Sequence, residues 1–500
     1  MGAVGTDLPR LELTIQRHLR ILGFSVHPVS LSELIDRECG DALTPRDELT
    51  YDNYVNERMS AGNALRGNWS APAAVAMLAI EEIRRKREAL GDTPPACAFI
   101  LKSLKRPEEV RLLRSVYRGQ FVLVGCHTPR ETRITSLADQ IARTRSTGDI
   151  RSQRAAAEAL ADRDERERGQ TTGDPAEREF LKRYGQTVED TFPLADAYVN
   201  LQNLGAAERD VARFLDLLLG SSFISPRRDE VAMFHAAAAA VRSTDLSRQV
   251  GASIANEGGD ILAVGCNEVP RAGGGSYWEC DLDDARDFKR GMDANQDQRD
   301  RAIREVYEVL EARGLLSESA TRQGLEHFGN TLDDTRIDGL IEFTRSTHAE
   351  MAALLDAARR GASIHGANLY TSTFPCHNCA KHIITAGIKR VVFIEPYPKS
   401  LAEQLHGDAL TVDEPHPAGR SVRFEHFAGV APMNYFALFE ATEKRKDPEG
   451  HPLSFSPSQI KPKLRGSFHA DFFPFEEETI EQLRSLRNAH GAPTASTLST

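Results

Sequence analysis

Four residues in the second half of the chain have the types and spacing for metal-assisted chemistry. His348 offers an imidazole, and Cys376 and Cys379, with two residues between them, offer thiolates. Three such ligands leave a fourth tetrahedral position open to water, the arrangement of a catalytic zinc rather than a structural one. Glu350 stands two residues beyond the histidine. A carboxylate so placed can carry a proton from water to a leaving group.

Each part alone has a blander reading. A CxxC pair is also a redox couple or half of a structural zinc knuckle, and a lone HxE is also surface polarity at a helix start. Taken in this order, with Pro375 ahead of the first cysteine, they match the H-x-E…P-C-x-x-C pattern of zinc-dependent nucleobase deaminases. His377 and His382 lie nearby as bystanders, and Cys266 reads as a small buried residue, because the ligand set is complete without them.

The elements that must hold these groups can be read around them. Residues 348–360 predict an amphipathic helix stopped by Gly361, and 367–373 a strand. Pro375 opens a second helix running to Gly387, and 389–394 is a further strand. Both ligand groups then fall at helix N-termini, where unsatisfied N–H groups and the helix dipole favour thiolate and other negative charge.

The bulk properties narrow the classes. Five hundred residues with 40% hydrophobic and 7% aromatic content imply several ordinary soluble domains. A formal charge of -11 and a pI near 5.8 argue against a whole-protein polyanion binder. Seven scattered cysteines form no disulfide framework and fit a reducing cytoplasm. No apolar run reaches a membrane span and no signal peptide opens the chain.

The chain starts with Gly2, Gly5 and Thr6 in a glycine turn ahead of an amphipathic segment, 11–22. Taken alone such a GxxG is a turn more often than a site; as a phosphate-binding loop it lacks the lysine that such a loop uses. The strand that would precede it is also missing, so either the loop is degenerate or the start is internal. Alternating strands (23–29, 96–101, 121–125) and helices (71–89, 107–117, 129–145) predict a parallel sheet with helices on both faces. The charged stretch 151–168 reads as a solvated helix, with a mobile lid over a nucleotide as the alternative. Turn-rich residues 220–226 mark a boundary between a domain over 1–220 and one over 225–440. An alanine-rich helix follows at 229–243 and a strand at 261–264. Residues 441–500 form an extension whose apolar patches, with 433–439, can pack on the core or at a subunit interface; its last ten residues read as disordered.

The ordered set SxDxSRQVGA (243–252), GCNEVP (265–270), HAE (348–350) and PCHNCAKHIITAGIKRVV (375–392) resembles the deoxycytidylate deaminase family. With GGGSYWE (273–279), DARDF (284–288) and the kinase-like region in front, the chain is more similar to the bacterial anti-phage dCTP deaminases. The resemblance runs from Gly2 to about residue 440, and implies an α/β fold: a degenerate P-loop kinase-like domain ahead of a cytidine-deaminase-like α/β/α domain.

That resemblance implies that His348, Cys376 and Cys379 bind Zn2+ and that Glu350 is the proton shuttle. Asn267 would meet the deoxyribose, and Ser247 and Arg248 the phosphates, where a guanidinium suits bidentate oxygen contacts. Tyr277 and Arg286 would contact a triphosphate or a neighbouring subunit, or simply pack their loop. The implied reaction is hydrolytic deamination of dCTP to dUTP, or of dCMP to dUMP, by a homo-oligomer, depleting dCTP in anti-phage defence. A housekeeping dCMP deaminase is the alternative, and a nucleic-acid deaminase a less favoured one, since the acidic chain lacks a basic, aromatic-rich strip. Residues 1–220 would restrain the enzyme through a nucleotide, an RNA or a phage factor.

Overall fold

A computed structural model of the chain describes residues 1–91, 96–167, 174–332, 335–337, 339–413, 421–441, 444–453, 462–463 and 472–491. The chain forms two compact units, Met1–Arg227 joined by Phe427–Thr500, and Arg228–His426.

In the first unit, β1 (Ser25–Ser30) pairs parallel with β2 (Cys97–Lys102), and β3 (Val124–His127) pairs parallel with β4 (Ala197–Asn200). Parallel pairing is what alternating strands and helices require. The helix Leu8–Ile21 starts at Asp7, whose carboxylate accepts the Arg10 N–H at 3.2 Å. Leu11 and Leu19 of this helix pack with Phe214 and Leu218 of the helix Leu204–Leu218 against Val199 of β4. The charged stretch expected to be solvated contains the helix Arg154–Arg166, and it is not an outer helix. Ala157, Leu160 and Ala161 are buried against Ile134, Leu137 and Ile141. Its apolar face is mostly alanine, so the charges on the other face dominate the sequence pattern.

The second unit is built on a six-stranded sheet. Its strands are β5 (Gly251–Ala255), β6 (Ile261–Cys266), β7 (Asn368–Thr373), β8 (Arg390–Glu395), β9 (Leu410–Val412) and β10 (Val422–His426), in the order β6-β5-β7-β8-β10-β9. β5 runs antiparallel to β6 and β7, while β7, β8, β10 and β9 run parallel to one another. Ile254, Leu369, Val391, Phe393 and Phe424 are fully buried in its core. Burying each such side chain contributes about 1.5–3 kcal/mol.

Two glycines set how closely helices approach this sheet. A Cβ at Gly251 would lie 2.0 Å from the Ala236 carbonyl oxygen, and one at Gly265 2.4 Å from that of Ala349. Gly251 pairs with Cys266 and Ala252 with Gly265, and successive residues of a strand face opposite ways. The helix Arg228–Ala240 therefore covers one face and Ala349–Arg360 the other. The latter carries Glu350 and is capped by His348, so Gly265 fixes the depth at which the candidate site sits. Gly265→Ala is expected to cost about 1–3 kcal/mol by overpacking. Urea denaturation checks this, with Gly148→Ala as a control, because a Cβ at Gly148 meets nothing within 4 Å.

The division after Arg227 lies close to the expected boundary, but the second one is corrected, to His426/Phe427 from 440. β11 (Gly429–Val430) pairs antiparallel with β4. The helix Phe473–His490 buries Ile480 and Leu483, and Arg487 reaches Glu38 and Glu81 at 2.7 and 2.8 Å. The extension expected over 441–500 thus completes the first unit. Of the stretch expected to be disordered, only Gly491 lies within the described residues, and its carbonyl accepts the Trp69 indole N–H at 3.0 Å. No helix among the described residues is long and apolar enough to cross a membrane.

Candidate active site

The two ligand groups precede and follow β7 in the sequence, and the helices that begin with them pack against each other. His348 is the N-cap of the helix Ala349–Arg360, which ends at Gly361 in the left-handed conformation (φ 68°). Cys376 is the N-cap of the helix His377–Thr385, just beyond the C-terminal end of β7. Its Sγ accepts the Cys379 N–H at 3.4 Å. The turn between is held by Phe374 N–H on the Glu395 carbonyl (2.8 Å) and Ser400 Oγ on the Pro375 carbonyl (2.8 Å).

His348 Nδ1 lies 3.3 Å from both Cys376 Sγ and Cys379 Sγ. Nitrogen and two sulfurs converging at this separation fit a zinc ion, whose bonds to them are about 2.0–2.3 Å long. Glu350 is buried, with Oε2 3.5 Å from Cys379 Sγ. The carboxylate thus adjoins the ligand group, as the spacing predicts.

Charge is strongly redistributed inside the cluster. Hydrogen bonds from Cys379 and His348 pull the Cys376 thiol down to about 4. The same sharing with Cys376, together with burial, raises Cys379. Burial alone would lower His348, but its hydrogen bond to Cys376 and that residue's charge outweigh it and bring it up to about 9. Burial pushes Glu350 up to about 7, opposed by the charge of His348. At pH 7, Cys376 is therefore a thiolate while His348 and Cys379 still carry protons that metal ligation must displace. Zinc binding should release about two protons. Calorimetry in buffers of differing ionisation enthalpy measures this, and a binding enthalpy independent of buffer would contradict it.

The residues expected to meet a substrate have mixed placements. Asn267 stands beside the metal ligands, because its neighbour Glu268 exchanges backbone hydrogen bonds with Thr347. Asn267 Oδ1 accepts the Val250 N–H (2.7 Å) and its Nδ2 donates to the Arg248 carbonyl (2.8 Å). Its amide therefore pins the loop carrying Ser247 and Arg248 against the site. Ser247 is exposed, with its N–H on Asp245 Oδ1. Arg248 is half exposed, 3.9 Å from Glu395 and stacked over Tyr397 at 5.7 Å.

Arg286 is buried and bound bidentately by Asp284 at 2.9 and 2.7 Å, with Glu268 3.8 Å away. Its charge is met by acidic groups of the chain itself. The Tyr277 carbonyl accepts from Arg242, whose guanidinium stacks on Trp278 at 3.6 Å. Cys266 is buried outside the cluster.

Sequence reasoning missed Glu268 and Asp245. Glu268 takes the Thr244 N–H and Oγ–H at 2.9 and 2.7 Å, and Asp245 acts electrostatically on His348. Both lie inside quoted segments, but no spacing marks them.

Gly2, Gly5 and Thr6 belong to the first unit. Gly5 has φ 86°, and the Val4 N–H between the glycines donates to Asp164 Oδ2 at 2.6 Å. Asp164 is fully buried and also holds Lys105 Nζ at 2.6 Å. A carboxylate of the chain thus holds a backbone donor that a phosphate would otherwise use.

Residues 226–395 match the family model described as the cytidine and deoxycytidylate deaminase zinc-binding region. A stretch of 53 residues is 51% identical to the deoxycytidylate deaminase of Enterobacteria phage T2, covering 11% of this chain and 28% of that protein. Over 155 residues the chain is 28% identical to the deoxycytidylate deaminase of Mus musculus, covering 31% and 57%. The chain thus spans less than two thirds of the length of these relatives. Among solved structures, the dCMP deaminase of cyanophage S-TIM5 with dCMP and dUMP is 20% identical, at a TM-score of 0.23, covering 40% of this chain and 98% of that one. The second unit therefore carries a zinc-binding region of the deaminase type, and zinc is the metal to which the His-Cys-Cys group corresponds.

Proposed function

We propose that the protein is a zinc-dependent hydrolytic deaminase of free deoxycytidine nucleotides. The observation that carries this reading is a buried Glu350 carboxylate 3.5 Å from Cys379 Sγ, within the His348, Cys376 and Cys379 cluster. His348, Cys376 and Cys379 would hold the zinc, which when bound would supply the Lewis acidity that makes water reactive near neutral pH. Glu350 takes a proton from the attacking water as a bond forms to C4 of the cytosine ring. It delivers that proton to N3, then carries the proton of the new C4 hydroxyl to the exocyclic amine, so that the C4–N bond breaks, ammonia leaves and the C4 carbonyl of a uracil ring remains. Asn267 holds the loop that carries Arg248, and Arg248 offers its guanidinium to the phosphates.

dCTP is the substrate in this reading, and its depletion would starve phage replication. The names of the relatives favour a second reading, in which dCMP is the substrate and the role is housekeeping. The net charge of -11 supports a free nucleotide over a polynucleotide in either case. In the same proposal the first unit restrains the deaminase and does not turn over a nucleotide, consistent with a turn that has no lysine and has Asp164 on its Val4 N–H. A nucleotide panel tests the whole reading: dCTP, dCMP, CTP, cytidine and single-stranded DNA are each offered to zinc-loaded protein. Preference for dCTP supports the first reading, preference for dCMP the second, and preference for the polynucleotide overturns both.

A further inference from the structure

Two adjacent residues, Asn267 and Glu268, hold both ends of the loop that carries Arg248. At the far end, the Asn267 amide accepts the Val250 N–H and donates to the Arg248 carbonyl. At the near end, Glu268 Oε2 accepts the Thr244 N–H at 2.9 Å and the Thr244 hydroxyl at 2.7 Å. Ser243 Oγ donates to the Asn267 carbonyl at 2.6 Å, and Gln249 Nε2 to the Ser243 carbonyl at 2.7 Å, which closes the base. Residues 246–248 at the tip are exposed. The loop therefore has a fixed base and a free tip, and its position is decided at residues 267 and 268.

Glu268 is also tied to the metal-ligand segment. Its N–H donates to the Thr347 carbonyl at 3.3 Å, and its carbonyl accepts the Thr347 N–H at 3.1 Å; Thr347 directly precedes His348. One residue thus meets the His348 segment through its backbone and the Arg248 loop through its side chain. Glu268 is 1% exposed, and a carboxylate so deeply buried needs donors around it. They are the two groups of Thr244, the Val269 N–H on Oε1 at 2.9 Å, and Arg286 Nη1 at 3.8 Å. A glutamine amide has one acceptor oxygen and one NH2 donor. In either orientation it would set its NH2 against the backbone N–H of Thr244 or of Val269. Arg345, three residues before His348, donates to the Ala285 carbonyl at 3.0 Å. The DARDF stretch (284–288) thus contacts both segments that Glu268 joins.

We propose that Glu268 is a positioning residue that sets where Arg248 stands relative to the metal site, and so favours substrates that carry a phosphate. The inference rests on the reading of Arg248 as the phosphate partner. A guanidinium binds phosphate best when its planar fork meets the oxygens, and a misplacement of about 1 Å is enough to forfeit much of that gain. Releasing Thr244 lets the tip drift. Nucleotide binding then weakens while the metal ligands and Glu350 keep their places.

The test measures kcat and KM for dCMP and dCTP in Glu268→Gln and Thr244→Val, alone and combined with Arg248→Ala, with zinc content determined on the same samples. Thr244→Val keeps the side-chain volume and removes one hydrogen bond, so it carries the test even where Glu268→Gln fails to fold. KM should rise about five-fold or more in Glu268→Gln and about two-fold or more in Thr244→Val, with kcat held within about two-fold. Zinc content should not change, and neither substitution should raise KM further in the Arg248→Ala background. Effects that multiply with that of Arg248→Ala, a lower kcat at unchanged KM, lost zinc, or an unchanged KM in the variants that fold would each overturn the proposal. Wild-type protein that consumes neither nucleotide, or Arg248→Ala with unchanged KM, would instead defeat the functional reading on which it rests.

Discussion

Glu350→Gln should lower deamination by about 10²–10⁴-fold, the range supplied by general acid–base catalysis, while leaving zinc content and fold unchanged. The amide is nearly isosteric, so the buried site keeps its packing, but it can neither take a proton from water nor return one. Glu350 is buried near Cys379 without being a member of the His-Cys-Cys ligand group, so this substitution separates chemistry from metal binding. Metal analysis and rate measurement on the same sample check it. Normal turnover would remove Glu350 from the mechanism, and loss of zinc would make it a ligand.

Cys379→Ala should have the opposite signature. It removes one of three ligands, takes the Cys379 thiol away from the Cys376 thiolate while His348 and the residue-379 N–H stay, and should abolish both zinc retention and activity. Both cysteines are buried in the sheet's core cluster together with Ala380 and Ile383. Metal binding there is coupled to stability: at a free zinc concentration of about 100 times Kd it stabilises the folded state by about 2.7 kcal/mol. A chelator should therefore lower the unfolding temperature of the wild type and leave that of Cys379→Ala unmoved. An equal response from both proteins would show that the metal sits elsewhere.

The parts of this account that were legible in the sequence are local. The H-x-E and P-C-x-x-C spacings carry the ligand group, and Gly361 and Pro375 mark where its helices end and begin. β5 was not legible, because four of the five residues of Gly251–Ala255 are small and the strand shows no alternation of apolar and polar residues. Its composition answers the close approach of a helix, which only the fold reveals. For Arg286 the sequence left a triphosphate contact, a subunit contact and loop packing all open, because charge alone does not show that Asp284, two residues earlier, pairs with it. The return of the chain to the first unit was hidden for a similar reason, since Arg487 and Glu38 are 449 residues apart. Asp245 and Glu268 gain their positions only from tertiary contacts around His348.

The most direct test of the central claim is the fate of the base. Zinc-loaded protein, with one metal per chain, is mixed with dCTP or dCMP, and ammonia and nucleotide product are quantified together. The account predicts one ammonia for each uracil nucleotide formed, and none from Glu350→Gln. Zinc-loaded protein that leaves every free deoxycytidine nucleotide intact would contradict it.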